Sequence, residues 1–383
     1  MKLIKFSVLT LLILLVLGSS FNLYALEIKN PRIELNVKSA VLMDANTGTV
    51  LYSLNMNDEL PPASVTKIMT LLLAFEAIDS GKLRFDDMLT VSENASSMGG
   101  SQVFLEPGEQ MSVDELIKCV VVASANDAAV TLAEALCGSV ESFVQQMNER
   151  AKSLGMNNTY FENVTGLDDN VTNHLTSAYD IALMSRELLK HERILEYTTI
   201  WMDTIRNGEF GLSNTNRLVK YYKGVTGLKT GYTQSAGFCI SASAKRGDLH
   251  LIAVIMGADT SSNRNVAATK LLDFGFATYG IYNDAGCDCG EVYILKGEKR
   301  TASTYCADYT KLENLGNEKK ITKEIVFDQN LKAPICKGQN VGKVIYRLEG
   351  EIIGENPVLS NEDVGELSFW KIFVNSIKNI VCT

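Results

Sequence analysis

The rhythm of apolar and polar positions changes along the chain. The run SVTKIMTLLLAFEAIDS at 64–80 stops at Gly81, a suitable left-handed C-terminal residue, and predicts a helix. Val65, Ile68, Met69, Leu71, Leu72, Leu73, Phe75 and Ile78 point in nearly every direction around that helix, so it is expected to be buried on most sides. SVDELIKCVVVA at 112–123 opens on a capping-box pattern, Ser112 with Glu115, and DAAVTLAEAL follows a small polar break, SAN. Further on, VTGLKTGYT precedes AGFCISASAKRGDLHLIAVIMGA, which reads as a strand pair joined at Lys245 to Asp248. From about Asn283 the pattern shortens to EVYILKG, ITKEIVFD, KVIYRLEG and EIIGENPV, separated by glycine, asparagine and charged residues. That spacing predicts a small β domain over 283–364, in which no functional constellation is evident.

The two ends have patterns of their own. Lys2 and Lys5 precede an apolar run from Val8 to Leu17, and GSSFNLYA then offers a cleavage point after Ala25. Residues 1–25 read as a secretory signal peptide, with an uncleaved anchor as the alternative that its short apolar core disfavours. At the other end, Phe369, Trp370, Phe373, Val374, Ile377, Ile380 and Val381 recur at spacings of three and four, with Lys371, Asn375, Lys378 and Asn379 opposite. Residues 365–383 are therefore expected to form an amphipathic helix at a membrane surface, a final helix packed on its own domain being the alternative. The formal charge of −9 becomes −11 once the two leader lysines are lost, so nucleic acid is not an expected partner.

Candidate chemistry lies in three short strings: SVTK at Ser64 to Lys67, SAN at Ser124 to Asn126, and KTG at Lys229 to Gly231. Lys67 sits in an apolar element, where burial lowers a lysine pKa by up to about 3–5 units and makes the amine a base. Residues three apart share a helix face, so Lys67 can reach the Ser64 hydroxyl. Taken alone, Ser64 would serve equally as a cap and Lys67 as a snorkelling cation. Ser124 can relay a proton, and the Asn126 amide can both donate and accept. Lys229 adds a second cation that helps to depress Lys67, Thr230 adds a hydroxyl, and Gly231 gives room for a substrate backbone.

Together these strings resemble the SxxK, SxN and KTG motifs of the penicillin-recognising serine enzymes. Flanking segments, among them VLMDANTGTVLYSLNMNDELPPASVTKIMT, NVTGLDD, HLTSAYDIALMSRELL, NRNVAATKLLDFGF and APICKGQNVG, are similar to those of low-molecular-mass D-alanyl-D-alanine carboxypeptidases. The resemblance implies an α/β (α+β) catalytic domain of the β-lactamase/transpeptidase type over 26–282, with a helical lobe. A small all-β domain and the amphipathic helix follow. It also implies roles: Ser64 as nucleophile, Lys67 as its base, and Ser124 with Lys229 as proton donors to the leaving D-alanine. The N–H groups of Ser64 and Tyr232 would form the oxyanion hole, Asn126 would hold the substrate peptide, and Thr230 and Arg264 would bind its terminal carboxylate. Arg264 matches an arginine that some relatives carry ahead of the helix ending in LLDFGF; some relatives also have a histidine where this chain has Tyr232.

The activity so implied is removal of the terminal D-alanine from peptidoglycan stem pentapeptides at the outer face of a bacterial membrane. β-Lactams are covalent inhibitors and no cofactor is needed. A D,D-endopeptidase and a non-hydrolytic β-lactam or muropeptide sensor are the alternatives. A β-lactamase fits less well, because no glutamate-xx-leucine-asparagine element lies between the second and third strings. His174, His191 and His250 suggest no serine-histidine-aspartate triad, and no HExxH or paired CxxC pattern suggests a catalytic metal. Cys119, Cys137 and Cys239 are expected as buried thiols; Cys287, Cys289, Cys306 and Cys336 allow two disulfides in three pairings. Cys-Asp-Cys is not the usual zinc spacing.

Overall fold

The computed structural model describes residues 32–169 and 171–368. The leader at 1–25 and residues 369–383 of the expected amphipathic helix lie outside that range. Five strands form the main sheet: β1 (Ser39–Asp44), β2 (Val50–Leu54), β3 (Val225–Thr233), β4 (Gly237–Arg246) and β5 (Leu249–Ala258). They pair antiparallel in the order β2-β1-β5-β4-β3, which leaves the KTG strand β3 at an edge. The chain runs about the sheet in an order that brings its first hairpin beside its last strand.

Strands β1 and β5 have apolar residues on both faces because both faces are covered. Ala40, Leu42, Leu251, Ala253 and Ile255 enter one core, shared with Ala268, Leu271 and Leu272 of helix α4. Val41, Met43, Ile252, Val254 and Met256 enter the other, shared with the helical lobe inserted between β2 and β3. Four helices position the site: α1 (Lys67–Asp79), α2 (Asn126–Cys137), α3 (Ala178–Leu188) and α4 (Ser261–Thr278). The expected helix from Ser64 is split in two: Ala63–Thr66 is a 3₁₀ turn, α1 begins only at Lys67, and Gly81 takes φ +73° just beyond it. As expected, α1 is buried almost all round.

Strand β6 (Tyr279–Asp284) crosses residue 282 and pairs with β9 (Tyr309–Asn314). Strands β7 (Asp288–Tyr293), β8 (Thr301–Cys306), β10 (Thr322–Phe327), β11 (Asn340–Leu348) and β12 (Glu351–Ser360) make a second sheet, ordered β7-β8-β12-β11-β10. Two cysteine expectations need correction. Cys119 and Cys239 are buried but Cys137 is half-buried, near the surface end of α2. No disulfide joins the described cysteines: Cys287, Cys289 and Cys306 gather in one group, and exposed Cys336 is outside it, so the two-bridge pairing does not form.

Candidate active site

Ser64 lies on the 3₁₀ turn that leads into α1, at the floor of a cleft of about 810 Å³. Thr66 on the same turn donates its hydroxyl to Ala63 O at 2.9 Å and lies 2.8 Å from His174 Nε2. Because His174 Nδ1 accepts from the Glu162 N–H, Nε2 must carry the proton and donate to Thr66. His174 is thus a brace for the serine turn, and burial holds its pKa down to about 4.

Lys67 is fully buried, with Nζ 2.8 Å from Ser64 Oγ and 2.9 Å from Thr165 O. Burial lowers its pKa well below the usual lysine range; Lys229 adds repulsion and Asp127 opposes the shift. A neutral amine here donates to the Thr165 carbonyl and has a lone pair for the Ser64 proton. The carbonyl is held in place by Asn163, whose Oδ1 accepts from Thr165 N and Gly166 N at 3.1 and 2.7 Å. A Cβ on Gly166 would fall 1.8 Å from Ala63 O, so the NVTGL segment must pass the serine turn at a glycine. In the sequence this segment stands out only as a flanking match to the family. The glycine itself, Gly166, is the one local signal the sequence carries for this close approach.

Ser124 follows a π-helical turn, Cys119–Ala123, and takes a left-handed conformation, φ 62° and ψ 31°. This break presents Ser124 to the cleft and starts α2 at Asn126. The capping box upstream is half realised: Ser112 Oγ accepts from Glu115 N. Asn126 Nδ2 donates to Gly99 O at 2.6 Å, whereas its buried Oδ1 has no partner, the one such atom among the described residues. An acceptor left open in a protein interior is costly unless a ligand donor completes it.

On β3, Lys229 is buried and donates from Nζ to Thr230 O at 2.9 Å. Among the described residues no hydrogen bond joins it to Ser124, so the expected relay pair is not directly bonded. Burial first and Arg264 second lower the Lys229 pKa to about 7. Thr230 Oγ1 donates to Thr215 Oγ1 at 2.7 Å. The expectation for Gly231 changes: a Cβ there would meet Pro62 O at 2.8 Å and Ser64 N at 2.9 Å. Its missing side chain makes room first for the protein's own serine turn, which is what brings β3 against Ser64. Tyr232 is 57% exposed at the cleft rim and packs on Phe238, with ring centroids 4.3 Å apart.

Arg264 lies within the first turn of α4, not ahead of the helix, and is buried in the cleft wall instead of standing on the surface. Its Nε donates to Asn265 Oδ1 at 3.1 Å, which leaves the outer guanidinium nitrogens without a protein partner among the described residues. Burial and the nearby Arg217 lower its pKa to about 10. Arg217, which sequence reasoning missed, also lines the cleft, and no carboxylate does. The cleft is a basic pocket in an acidic protein.

The lysine pair has a measurable cost. Lys229 binds its proton less tightly when folded than in the unfolded chain, so the unfolded state holds more protons between pH about 7 and the ordinary lysine value of 10.5. Stability should therefore rise with pH across that window, by up to about 1.4 kcal/mol per pH unit. Lys229→Met is expected to melt higher than wild type at pH 7, with the gap closing toward pH 10. Thermal melts across the window check this; a gap that stays constant would contradict it.

A family profile described as "D-alanyl-D-alanine carboxypeptidase" matches residues 26–260, and one described as "Penicillin-binding protein 5, C-terminal domain" matches 283–366. The D-alanyl-D-alanine carboxypeptidase DacF of Bacillus subtilis is 46% identical over 341 residues, covering 87% of each chain. The structure of penicillin binding protein 5 from Haemophilus influenzae superposes with a TM-score of 0.76 at 33% identity, covering 88% of this chain and 99% of that one. The ampicillin-bound Penicillin-Binding Protein D2 of Listeria monocytogenes has a TM-score of 0.57 at 32% identity, over 64% of this chain and all of that one. Sequence kinship along both domains and a shared fold agree with a serine and a buried lysine meeting under a basic cleft: the chain belongs to the serine D-alanyl-D-alanine carboxypeptidases, the low-molecular-mass penicillin-binding proteins.

Proposed function

We propose that Ser64 attacks the carbonyl of a terminal D-alanyl-D-alanine bond while Lys67 takes its proton. The observation that carries this reading is the 2.8 Å contact between Lys67 Nζ and Ser64 Oγ in a fully buried setting. The oxyanion forms against the N–H groups of Ser64 and Tyr232, where one donor is typically worth about 2.7–4 kcal/mol. Ser124 and Lys229 return a proton to the departing D-alanine nitrogen, and water then releases the shortened peptide from Ser64. Asn126 Oδ1 accepts from a substrate N–H, which explains why that atom has no protein partner. β-Lactams acylate the same oxygen because their amide imitates the scissile bond.

Thr230 and Arg264 hold the substrate carboxylate, and Arg217 adds to the local positive potential. Replacing Arg264 by glutamine removes a charge-assisted contact worth about 1.5–3 kcal/mol. On that figure kcat/KM for a free-carboxylate peptide falls roughly 10- to 150-fold. An amide-capped peptide should lose much less. Paired kinetics on the two substrates test the assignment, and equal losses on both would refute it.

The chain works in the cell envelope, with residues 1–25 directing export, 26–282 as the catalytic domain and 283–364 as the β domain; the membrane-surface helix expected over 365–383 starts later than residue 365, because Glu366 bridges Gly297 and the Leu367 N–H donates to Lys296 O. No helix among the described residues is long and apolar enough to cross a membrane. The apolar stripe beginning at Phe369 and Trp370 supports surface attachment instead. Ending the chain after Gly365 is expected to move the protein from membrane to soluble fractions with D-alanine release unchanged. An unchanged distribution would show that the tail packs on its own domain.

A further inference from the structure

The catalytic reading leaves a group of reactive side chains in the β domain unexplained. Cys287 precedes β7 and Cys289 lies within it; two residues apart on an extended segment, they share a face. Cys306 ends β8 directly across from them, its N–H donating to Cys287 O at 3.1 Å. The ladder slips between Asp288 and Gly290, where Gly290 takes φ +86°, and this bulge places Cys289 with the other two. All three Sγ atoms lie within 4.8 Å of one another, with Cys287 and Cys306 at 3.7 Å. Cys289 and Cys306 are buried and Cys287 is half-exposed, so the group opens to solvent on the Cys287 side.

Three sulfurs around one point is more than a disulfide uses. A zinc ion with Zn–S bonds of about 2.3 Å sets the thiolates of a tetrahedron about 3.8 Å apart. The Cys287–Cys306 spacing already matches that edge. Lys323 Nζ lies 3.9 Å from Cys287 Sγ and is anchored by Asp284 at 2.8 Å, a cation placed to offset the charge of a third thiolate.

We propose that Cys287, Cys289 and Cys306 form a three-thiolate site for a thiophilic divalent cation of the zinc class, with its fourth position facing solvent. Each S–H proton passes to water as its sulfur bonds the metal, so binding strengthens as pH rises. Occupancy ties β7 to β8 at the start of the β domain and takes no part in the chemistry at Ser64. The sequence spacing hid the site, because the third ligand comes from across the ladder.

The test is an anaerobic titration of the full chain without residues 1–25, fully reduced, first with Co²⁺ and then with Zn²⁺. The expected result is a sulfur-to-cobalt charge-transfer band saturating at one equivalent, displaced by one equivalent of Zn²⁺ with a rise in melting temperature. Cys287→Ser, at a half-exposed position that should not disturb folding, and Cys289→Ser should both lose the band. Cys336→Ser should keep it, since that thiol lies outside the group. No band in the wild type, or a band that survives Cys287→Ser with unchanged intensity, would overturn the proposal. So would a native protein two hydrogens lighter that carries a Cys287–Cys306 disulfide.

Discussion

Ser64→Ala is expected to stop D-alanine release, by on the order of 10⁴-fold or more, while leaving the fold intact. The serine hydroxyl has one side-chain contact among the described residues, with Lys67 Nζ at 2.8 Å, and that nitrogen keeps its hydrogen bond to Thr165 O when the hydroxyl is gone. The turn is braced elsewhere, by Thr66 to Ala63 O and by His174 behind Thr66. Loss of activity should therefore come without a fall in melting temperature. D-Alanine release and a thermal melt on the same sample check both halves, and residual turnover above a hundredth of wild type would remove Ser64 from the nucleophile role.

Lys67 offers the second large effect, and two substitutions separate charge from packing. Lys67→Arg keeps a cation but cannot deprotonate, and Lys67→Met keeps the volume without a base. Both are expected to slow acylation of Ser64, with loss of general-base catalysis costing about 10²–10⁴-fold. Because burial, with help from Lys229, lowers the Lys67 pKa well below 10.5, the neutral and active amine is reached at correspondingly lower pH. Wild-type acylation by a penicillin should rise with pH through that depressed value and then level off. It is lost as pH falls, because the amine regains its proton. The methionine variant should be slow and lack this limb; a variant that keeps the limb would assign the titration to another group.

How far the sequence could be read depended on the range of each interaction. The Ser64–Lys67 pair followed from helical spacing, and it survives although a 3₁₀ turn intervenes, because i and i+3 stay adjacent in both geometries. Ser124, Lys229 and Arg264 are far apart in the chain, and only resemblance to a family joined them in one site. Contacts made by main chain were beyond reach: the Thr165 carbonyl on Lys67 and the packing of Gly231 on Ser64 N have no side-chain signature. The π turn before Ser124 hid within an apolar run that reads as ordinary helix. Strand β8, TASTYC, escaped because its buried residues Ala302, Thr304 and Cys306 are small or polar, so its alternation does not stand out. The thiol group was missed with it, since Cys306 meets Cys287 only through that strand pairing.

The measurement closest to the central claim follows one sample through turnover and trapping. The chain without residues 1–25 is given diacetyl-lysyl-D-alanyl-D-alanine while free D-alanine is measured. A second aliquot is treated with penicillin, weighed intact, digested and mapped. Release of D-alanine together with a single penicilloyl group on the peptide containing Ser64 is the predicted result. An adduct on Ser64 without D-alanine release would contradict the carboxypeptidase reading in favour of a sensor or a different cell-wall bond, and an adduct elsewhere would contradict the Ser64–Lys67 mechanism itself.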